Sequence, residues 1–335
     1  MNSIELQTSI VDVLGAKLVP FISGPPGIGK SDIIKSIADK YNLKPIDIRL
    51  SQCDPTEMLG FPIPKDGRME YAPPRDIPLK GWDDVPDGYK GWLLFFDEFS
   101  SASLAVQAAA FKVVLDQHVG IHSIHPKCAM VCAGNSESDG GIVNRLSTPM
   151  QSRLIHLELS VDPKLWIDWA SSNALDHRII SYIEGRPEHL HLFDPDHNDK
   201  TFASPRTWHF ASKLIKGKQP TPILQQLLIG TISSGVAHEF FSYMNYCSDL
   251  PSIKDIIKRP DDIEVPDDPA LLYATSHMVA AYMDENNASS LMRYIDRLQV
   301  EFAITAIRSA LRRKKELLEV DEVRNWAHKL ADEIF

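Results

Sequence analysis

The stretch KLVPFISGPPGIGKSDIIKSIADKY, residues 17–41, decides how this chain is read. KLVPFIS (17–23) is a short apolar run of strand character, and DIIKSIADKY (32–41) is an amphipathic segment that reads as a helix. Between them, Gly24-Pro25-Pro26-Gly27-Ile28-Gly29-Lys30-Ser31 fits G-x-x-x-x-G-K-[ST] at every fixed position. Strand, glycine loop and helix in direct succession are the setting that a phosphate-binding loop requires. The glycines let the backbone wrap until several N–H groups face one anion. The helix adds the positive end of its dipole. Lys30 is expected to reach the β- and γ-phosphates as a point charge, and the Ser31 hydroxyl to bind Mg²⁺.

Working outward, WLLFFDEF (92–99) is an apolar run that ends in two carboxylates. Beside a phosphate loop, that pair has a plain use. Asp97 holds the water shell of Mg²⁺, and Glu98, just past the strand, polarises an attacking water. PIDIRLS (45–51), AMVCAGN (129–135) and RLIHLEL (153–159) are further strand candidates, with helical segments such as LAVQAAAFKVVLDQ (104–117) between them. Strands alternating with helices predict a parallel sheet covered on both faces. Two excursions interrupt the pattern. GFPIPKDGRMEYAPP (60–74) reads as a hairpin turning at Asp66-Gly67, and HVGIHSIHPK (118–127) as a second hairpin.

After about residue 160 the character changes to helices, among them 224–244, 270–283 and 290–320, with the acidic, proline-rich RPDDIEVPDDP (259–269) as a surface connection. The boundary is expected within 160–200, dividing an α/β core (1–165) from a helical domain (166–335). The 335 residues suit about two domains. Apolar residues make up 44% of the chain and charged residues 24%, enough apolar surface for ordered cores. The apolar runs, such as 92–96 and 128–133, are too short to span a bilayer. MNSIELQTSI carries no basic region, the first basic residue being Lys17, so no secretory leader is expected. The net charge of −10 lowers the expectation of nucleic acid as the main ligand. Cys53, Cys128, Cys132 and Cys247 form no C-x-x-C pair and no disulfide framework, which suits a reducing cytoplasm.

With these motifs in view, the sequence resembles the AAA+ ATPases. GPPGIGKS (24–31) looks like their Walker A motif and FFDEFS (95–100) like their Walker B. The resemblance implies a P-loop core with a parallel five-stranded sheet flanked by helices, plus a C-terminal all-helical lid. It implies ATP, rather than GTP, as the nucleotide. Asn135 sits where such proteins carry sensor 1, an amide that orients the water near the γ-phosphate. Arg206, in SPRTW (204–208), matches sensor 2, an arginine that reports the γ-phosphate to the lid. The family also supplies an arginine finger from one subunit to the ATP of the next. Arg153 fits its place, and Arg145 is the competitor.

Within AAA+ the chain looks most like the MoxR branch, through the inserted hairpin near 60–80, the hairpin before Asn135, and the words GFPIPKDGRMEYAPPRDIP and ASPRTW. That resemblance covers residues 1–215, and the rest matches only as a lid of unusual length. It implies a ring, usually of six, that remodels a protein or helps a metal cofactor enter its enzyme. A partner with a von Willebrand A domain often accompanies such proteins. The alternatives are a DNA-handling AAA+ loader or motor, and a nucleotide-gated module that hydrolyses little. Intact Glu98 and Asn135 argue against the latter.

Other residues receive plainer readings. His118, His122 and His125 cluster, yet no acid or cysteine completes a zinc set. Asp194, Asp196 and Asp199, near His197, lack calcium-loop spacing and read as a solvated loop. Phe61 and Tyr71 read as hairpin packing, with gripping of a substrate chain as the alternative. Arg308, Arg312, Arg313, Lys314 and Lys315 read as a solvated helix face, with an acidic partner or a neighbouring subunit as the alternative.

Overall fold

The computed structural model describes residues 1–135, 144–195 and 199–329. The chain divides into two compact units, one of Met1–Val161 with Asp194–Asp196, the other of Asp162–Phe193 with His197–Phe335.

The first unit runs α1 (Ser3–Gly15), β1 (Pro20–Ser23), α2 (Lys30–Tyr41), β2 (Leu43–Arg49), α3 (Pro55–Leu59), β3 (Phe61–Lys65), β4 (Arg68–Ala72), β5 (Gly91–Asp97), α4 (Leu104–Asp116), β6 (His118–Val119), β7 (His122–Ser123), β8 (Cys128–Ala133), α5 (Thr148–Gln151) and β9 (Ile155–Glu158). Five strands form one sheet in the order β2-β5-β8-β1-β9, every neighbouring pair parallel. The apolar run of β5 follows from its place in that sheet. Leu94 and Phe96 bury on one face with Phe21, Met130, Cys132 and Val113 of α4. Leu93 and Phe95 bury on the other with Ile22, Val131, Ile34 and Ile37 of α2 and Leu6 and Ile10 of α1. A strand with both faces covered has no position for a polar residue until it ends, here at Asp97.

Both expected hairpins are present. β3 and β4 pair antiparallel around Asp66 and Gly67, which both take positive φ (50° and 72°), the twist that a two-residue hairpin turn needs. In this register Lys65 pairs with Arg68, so Pro62 and Pro64 occupy alternate positions whose nitrogens face the outer edge. The edge of β3 thus lacks donors there, which blunts it against pairing with another strand. Phe61 and Tyr71 are exposed, at 65% and 39%. In the second hairpin, β6 with β7, His118 bonds Ser123 Oγ at 3.0 Å, His122 packs on Trp82, and His125 packs on Trp92. These histidines serve packing, and among the described residues no group of three or more His, Cys, Asp or Glu is arranged to hold a metal.

The second unit is helical: α6 (Pro163–Ser172), α7 (His177–Gly185), α8 (Pro205–Ile215), α9 (Pro222–Ile232), α10 (Ser234–Tyr246), α11 (Ile253–Lys258), α12 (Pro269–Tyr282), α13 (Ala288–Ile295), α14 (Val300–Arg313) and α15 (Asp321–Lys329). Two expected helices are each divided. The segment 224–244 breaks at Ser233, whose φ of 78° ends α9 and starts α10. The segment 290–320 breaks after α13, where Arg297 donates to the Pro260 and Ile263 carbonyls at 2.6 and 2.8 Å, and again at extended Lys314. Arg297 reaches carbonyls more than thirty residues back, so local periodicity carries no sign of the break.

The basic run 308–315 also differs from a solvated helix face, with Arg308, Arg312 and Arg313 on α14 and Lys314 and Lys315 beyond its end. Arg308 lies 3.9 Å from Glu184, Arg312 pairs with Asp168, and Arg313 donates to the Leu175 carbonyl at 3.5 Å. Three of the five cations therefore fasten helices, and only Lys314 and Lys315 are exposed. All four cysteines are free. Burial pushes the Cys128 thiol up to about 12 and raises that of Cys132 further, so both stay protonated. Asp194 and Asp199 are exposed, whereas Asp196 and His197 lie outside the described residues. Among the described residues no helix is long and apolar enough to cross a membrane.

Candidate functional site

Parallel strands place all their C-terminal ends along one edge, and ligands of open α/β sheets bind there. β1 delivers residues 24–31 to that edge, and β5 delivers Asp97 and Glu98. β8 lies between β1 and β5, so Asn135, two residues beyond its end, emerges between the glycine loop and the carboxylates.

The loop is tightly built. Gly24 has φ of 149°, and a Cβ there would lie 2.6 Å from the Leu159 carbonyl oxygen, so no side chain fits. Gly29 caps α2 without a side chain, and the first N–H to reach back is that of Ile33, to the Gly29 carbonyl at 3.0 Å. The N–H groups of the first turn thus have no acceptor within the helix, and the dipole favours an anion before them. Lys30 is 9% exposed, and its ammonium donates to the Gly24 carbonyl (2.6 Å), the Pro25 carbonyl (3.0 Å) and Asn135 Oδ1 (3.1 Å). Ser31 Oγ donates to Asp97 Oδ2 at 2.9 Å.

Glu98 adopts the left-handed region (φ 55°, ψ 32°), which costs a residue with a Cβ on the order of 1 kcal/mol or more and turns its side chain off the line of β5. Asp97 Oδ1 accepts the Glu98 N–H at 2.8 Å. The Ser51 hydroxyl, from the turn after β2, donates to Glu98 Oε2. Asp47, on β2, adds a third carboxylate, its pKa raised by burial and then by Asp97 and Glu98, against Arg49 and Lys35. Asn135 is held by its own backbone through Ser100, and Gly134 before it packs against Ser100 and the Phe21 ring. A Cβ on Gly134 would lie 2.5 Å from Ser100 Oγ and 3.0 Å from Phe21 Cζ. Gly134→Ala is therefore expected to destabilise the first unit by about 1–3 kcal/mol through overpacking. A denaturant melt reads the loss, and an unchanged midpoint would mean that Ser100 yields freely.

The structure thus joins Lys30 to Asn135, Ser31 to Asp97, and Asp97 to Glu98. The three candidate arginines are exposed. Arg145 follows Asn144 in the segment before α5. Arg153 stacks its guanidinium over the Phe111 ring of α4, 5.5 Å from the centroid. Arg206 is the second residue of α8, in the other unit. Sequence reading missed Ser51, Asp47 and Ser100. Ser51 and Glu98 are 47 residues apart, and a lone serine after a strand carries no signal.

No family model and no curated protein matches the chain. Among solved structures, a variant of Thermotoga maritima RuvB is similar at 16% identity, covering 78% of this chain and 77% of its own, with a TM-score of 0.42. A second RuvB variant scores 0.38 at 16% identity, covering 78% and 74%. A Cytophaga hutchinsonii protein inferred to be an ATPase scores 0.35 at 12% identity, covering 99% of this chain and 89% of its own.

Proposed function

We propose that this chain is a Mg²⁺-dependent ATPase of the AAA+ type, acting as a ring that remodels a partner protein in the manner of the MoxR branch. One observation carries the reading. Three segments far apart in sequence converge at one sheet edge, with Lys30 on Asn135 and Ser31 on Asp97. Together they are the parts that hydrolysis of a nucleoside triphosphate requires.

The residues fit the cofactors. Loop N–H groups, an uncapped helix start and a buried ammonium suit a polyphosphate. Ser31 Oγ and Asp97 Oδ2, two hard oxygens 2.9 Å apart, suit Mg²⁺. Ser31 and Asp97 would hold the ion, which supplies charge neutralisation at the phosphates. The three donors of the Lys30 ammonium go to the Gly24 and Pro25 carbonyls and Asn135 Oδ1, so it binds a phosphate by exchanging at least one of these bonds for a phosphate oxygen. Glu98 accepts a proton from the attacking water, with Ser51 fixing the orientation of the carboxylate. Asn135 orients that water by its amide. Arg206 reports the γ-phosphate to the helical unit, and Arg153, or in its stead Arg145, completes the site of a neighbouring subunit.

The test is the rate of ATP hydrolysis per protomer against protein concentration, with Mg²⁺. The expected rate climbs steeply and saturates as subunits assemble. Arg153→Ala is expected to bind ATP and lose hydrolysis by at least about 10³-fold. A flat rate from a species that sizes as a monomer would refute the shared site, and full activity in the Arg153 variant would move the finger to Arg145.

A further inference from the structure

Glu98 is followed at once by a tight helical turn, Phe99–Ser101, whose middle residue Ser100 is 4% exposed. The Ser100 hydroxyl makes two hydrogen bonds, both to the backbone of Asn135. It accepts from the Asn135 N–H at 3.0 Å and donates to the Asn135 carbonyl at 3.1 Å. Only a hydroxyl, donor and acceptor at once, closes such a pair from a single atom. Glycine at 134 is what makes room for it, since a Cβ there would collide with Ser100 Oγ.

The turn is itself braced. The Ser100 carbonyl accepts the Asn144 N–H at 2.6 Å. Gln107, on α4 and 4% exposed, spreads its amide over the carbonyls of Phe99 (3.2 Å), Ala102 (3.3 Å) and Asn144 (3.3 Å). Asn144 Nδ2 adds a bond to the Ala102 carbonyl at 2.9 Å. Glu98 therefore heads a fixed block, and Asn135 is fastened to that block through one hydroxyl. The Asn135 side chain in turn holds Lys30 at 3.1 Å. Part-buried hydrogen bonds thus link the carboxylate side of the site to the phosphate side through Ser100 and Asn135, beside the direct link from Ser31 through Asp97 to Glu98.

We propose that Ser100 is a positioning residue for hydrolysis: its hydroxyl sets where the Asn135 amide stands relative to Glu98 and Lys30, and so governs turnover rather than nucleotide affinity. The inference rests on the ATPase reading above. A displaced amide misaligns the attacking water, and misplacement by about 1 Å can cost about 100-fold in rate. The loop N–H groups, Lys30 and Ser31 stay in place to bind nucleotide.

The experiment is a double-mutant cycle on the full-length protein, with kcat, KM and nucleotide Kd measured for wild type, Ser100→Ala, Asn135→Ala and the double variant. Ser100→Ala is expected to lower kcat at least about tenfold with Kd within about threefold of wild type, because the lost bonds position a group and do not touch the ligand. In the Asn135→Ala background the same change is expected to cost nothing further. That non-additivity separates positioning from general structural damage, which would multiply in both backgrounds. Ser100→Cys, whose thiol is a weak donor and acceptor, is expected to fall between serine and alanine, and it carries the test if the alanine variant does not fold. Full kcat in either Ser100 variant, or an equal loss in both backgrounds, overturns the inference alone. A wild type that binds ATP and hydrolyses none overturns the proposed function and the inference with it.

Discussion

Lys30→Ala is expected to abolish nucleotide binding, with triphosphate affinity falling by at least about 100-fold. The ammonium is the one side-chain cation that the described residues place inside the glycine loop, and it is nearly buried, so water does not replace it. Removing one partner of a desolvated charge pair costs about 2–5 kcal/mol, which corresponds to a factor of about 30 to several thousand. The loss goes beyond one contact. The Gly24 and Pro25 carbonyls and Asn135 Oδ1 all lose their donor together, so the loop's shape and the amide's position relax with it. Titration with a fluorescent triphosphate analogue measures the change, and a thermal melt checks that the fold persists. Affinity equal to that of wild type would remove the loop from the site.

Glu98→Gln is expected to keep the affinity and remove the turnover, with kcat falling by about 10² to 10⁴. Glutamine matches the shape, tolerates the same backbone, and still accepts from the Ser51 hydroxyl. What it lacks is basicity. The variant should therefore hold ATP without cleaving it, and any assembled form should persist on ATP. Single-turnover hydrolysis beside a binding titration separates the two effects. If kcat stays at the wild-type level, the base lies elsewhere, and Asp47, whose pKa is raised by burial and by the Asp97 carboxylate, is the neighbouring group to replace next.

Lys30 and Glu98 both stand in motifs that the chain spells out locally. The loop 24–31 is legible because every constraint on it is local: glycines for a tight wrap, a strand before and a helix after. The carboxylates are legible because β5 is buried on both faces, so its first polar residues mark its end. The hairpin at Asp66-Gly67 is legible for the same local reason, a pair that accepts positive φ between two short arms. The helices beyond residue 220 are legible in the periodicity, but their breaks are not. Lys314 stands in a run of good helix formers. Ser233 instead precedes Ser234-Gly235, a local turn signal that the apolar periodicity of 224–244 masks, and the turn after α13 is held by contacts to a distant loop.

The sequence by itself determined the class of the first unit and the residues that would face a phosphate, because glycine spacing, apolar runs and strand-end acids act over a few neighbours. Only the tertiary structure decided that β8 lies between β1 and β5, and hence that Asn135 meets Lys30. Only it brought Ser51 to Glu98 and tied Ser100 to Asn135, and only it paired Arg308 with Glu184 and Arg312 with Asp168. The physical reason is the same in each case. A hydrogen bond between residues 35 to 105 positions apart leaves no periodic trace in the chain, because its partners are chosen by strand order and packing rather than by sequence spacing.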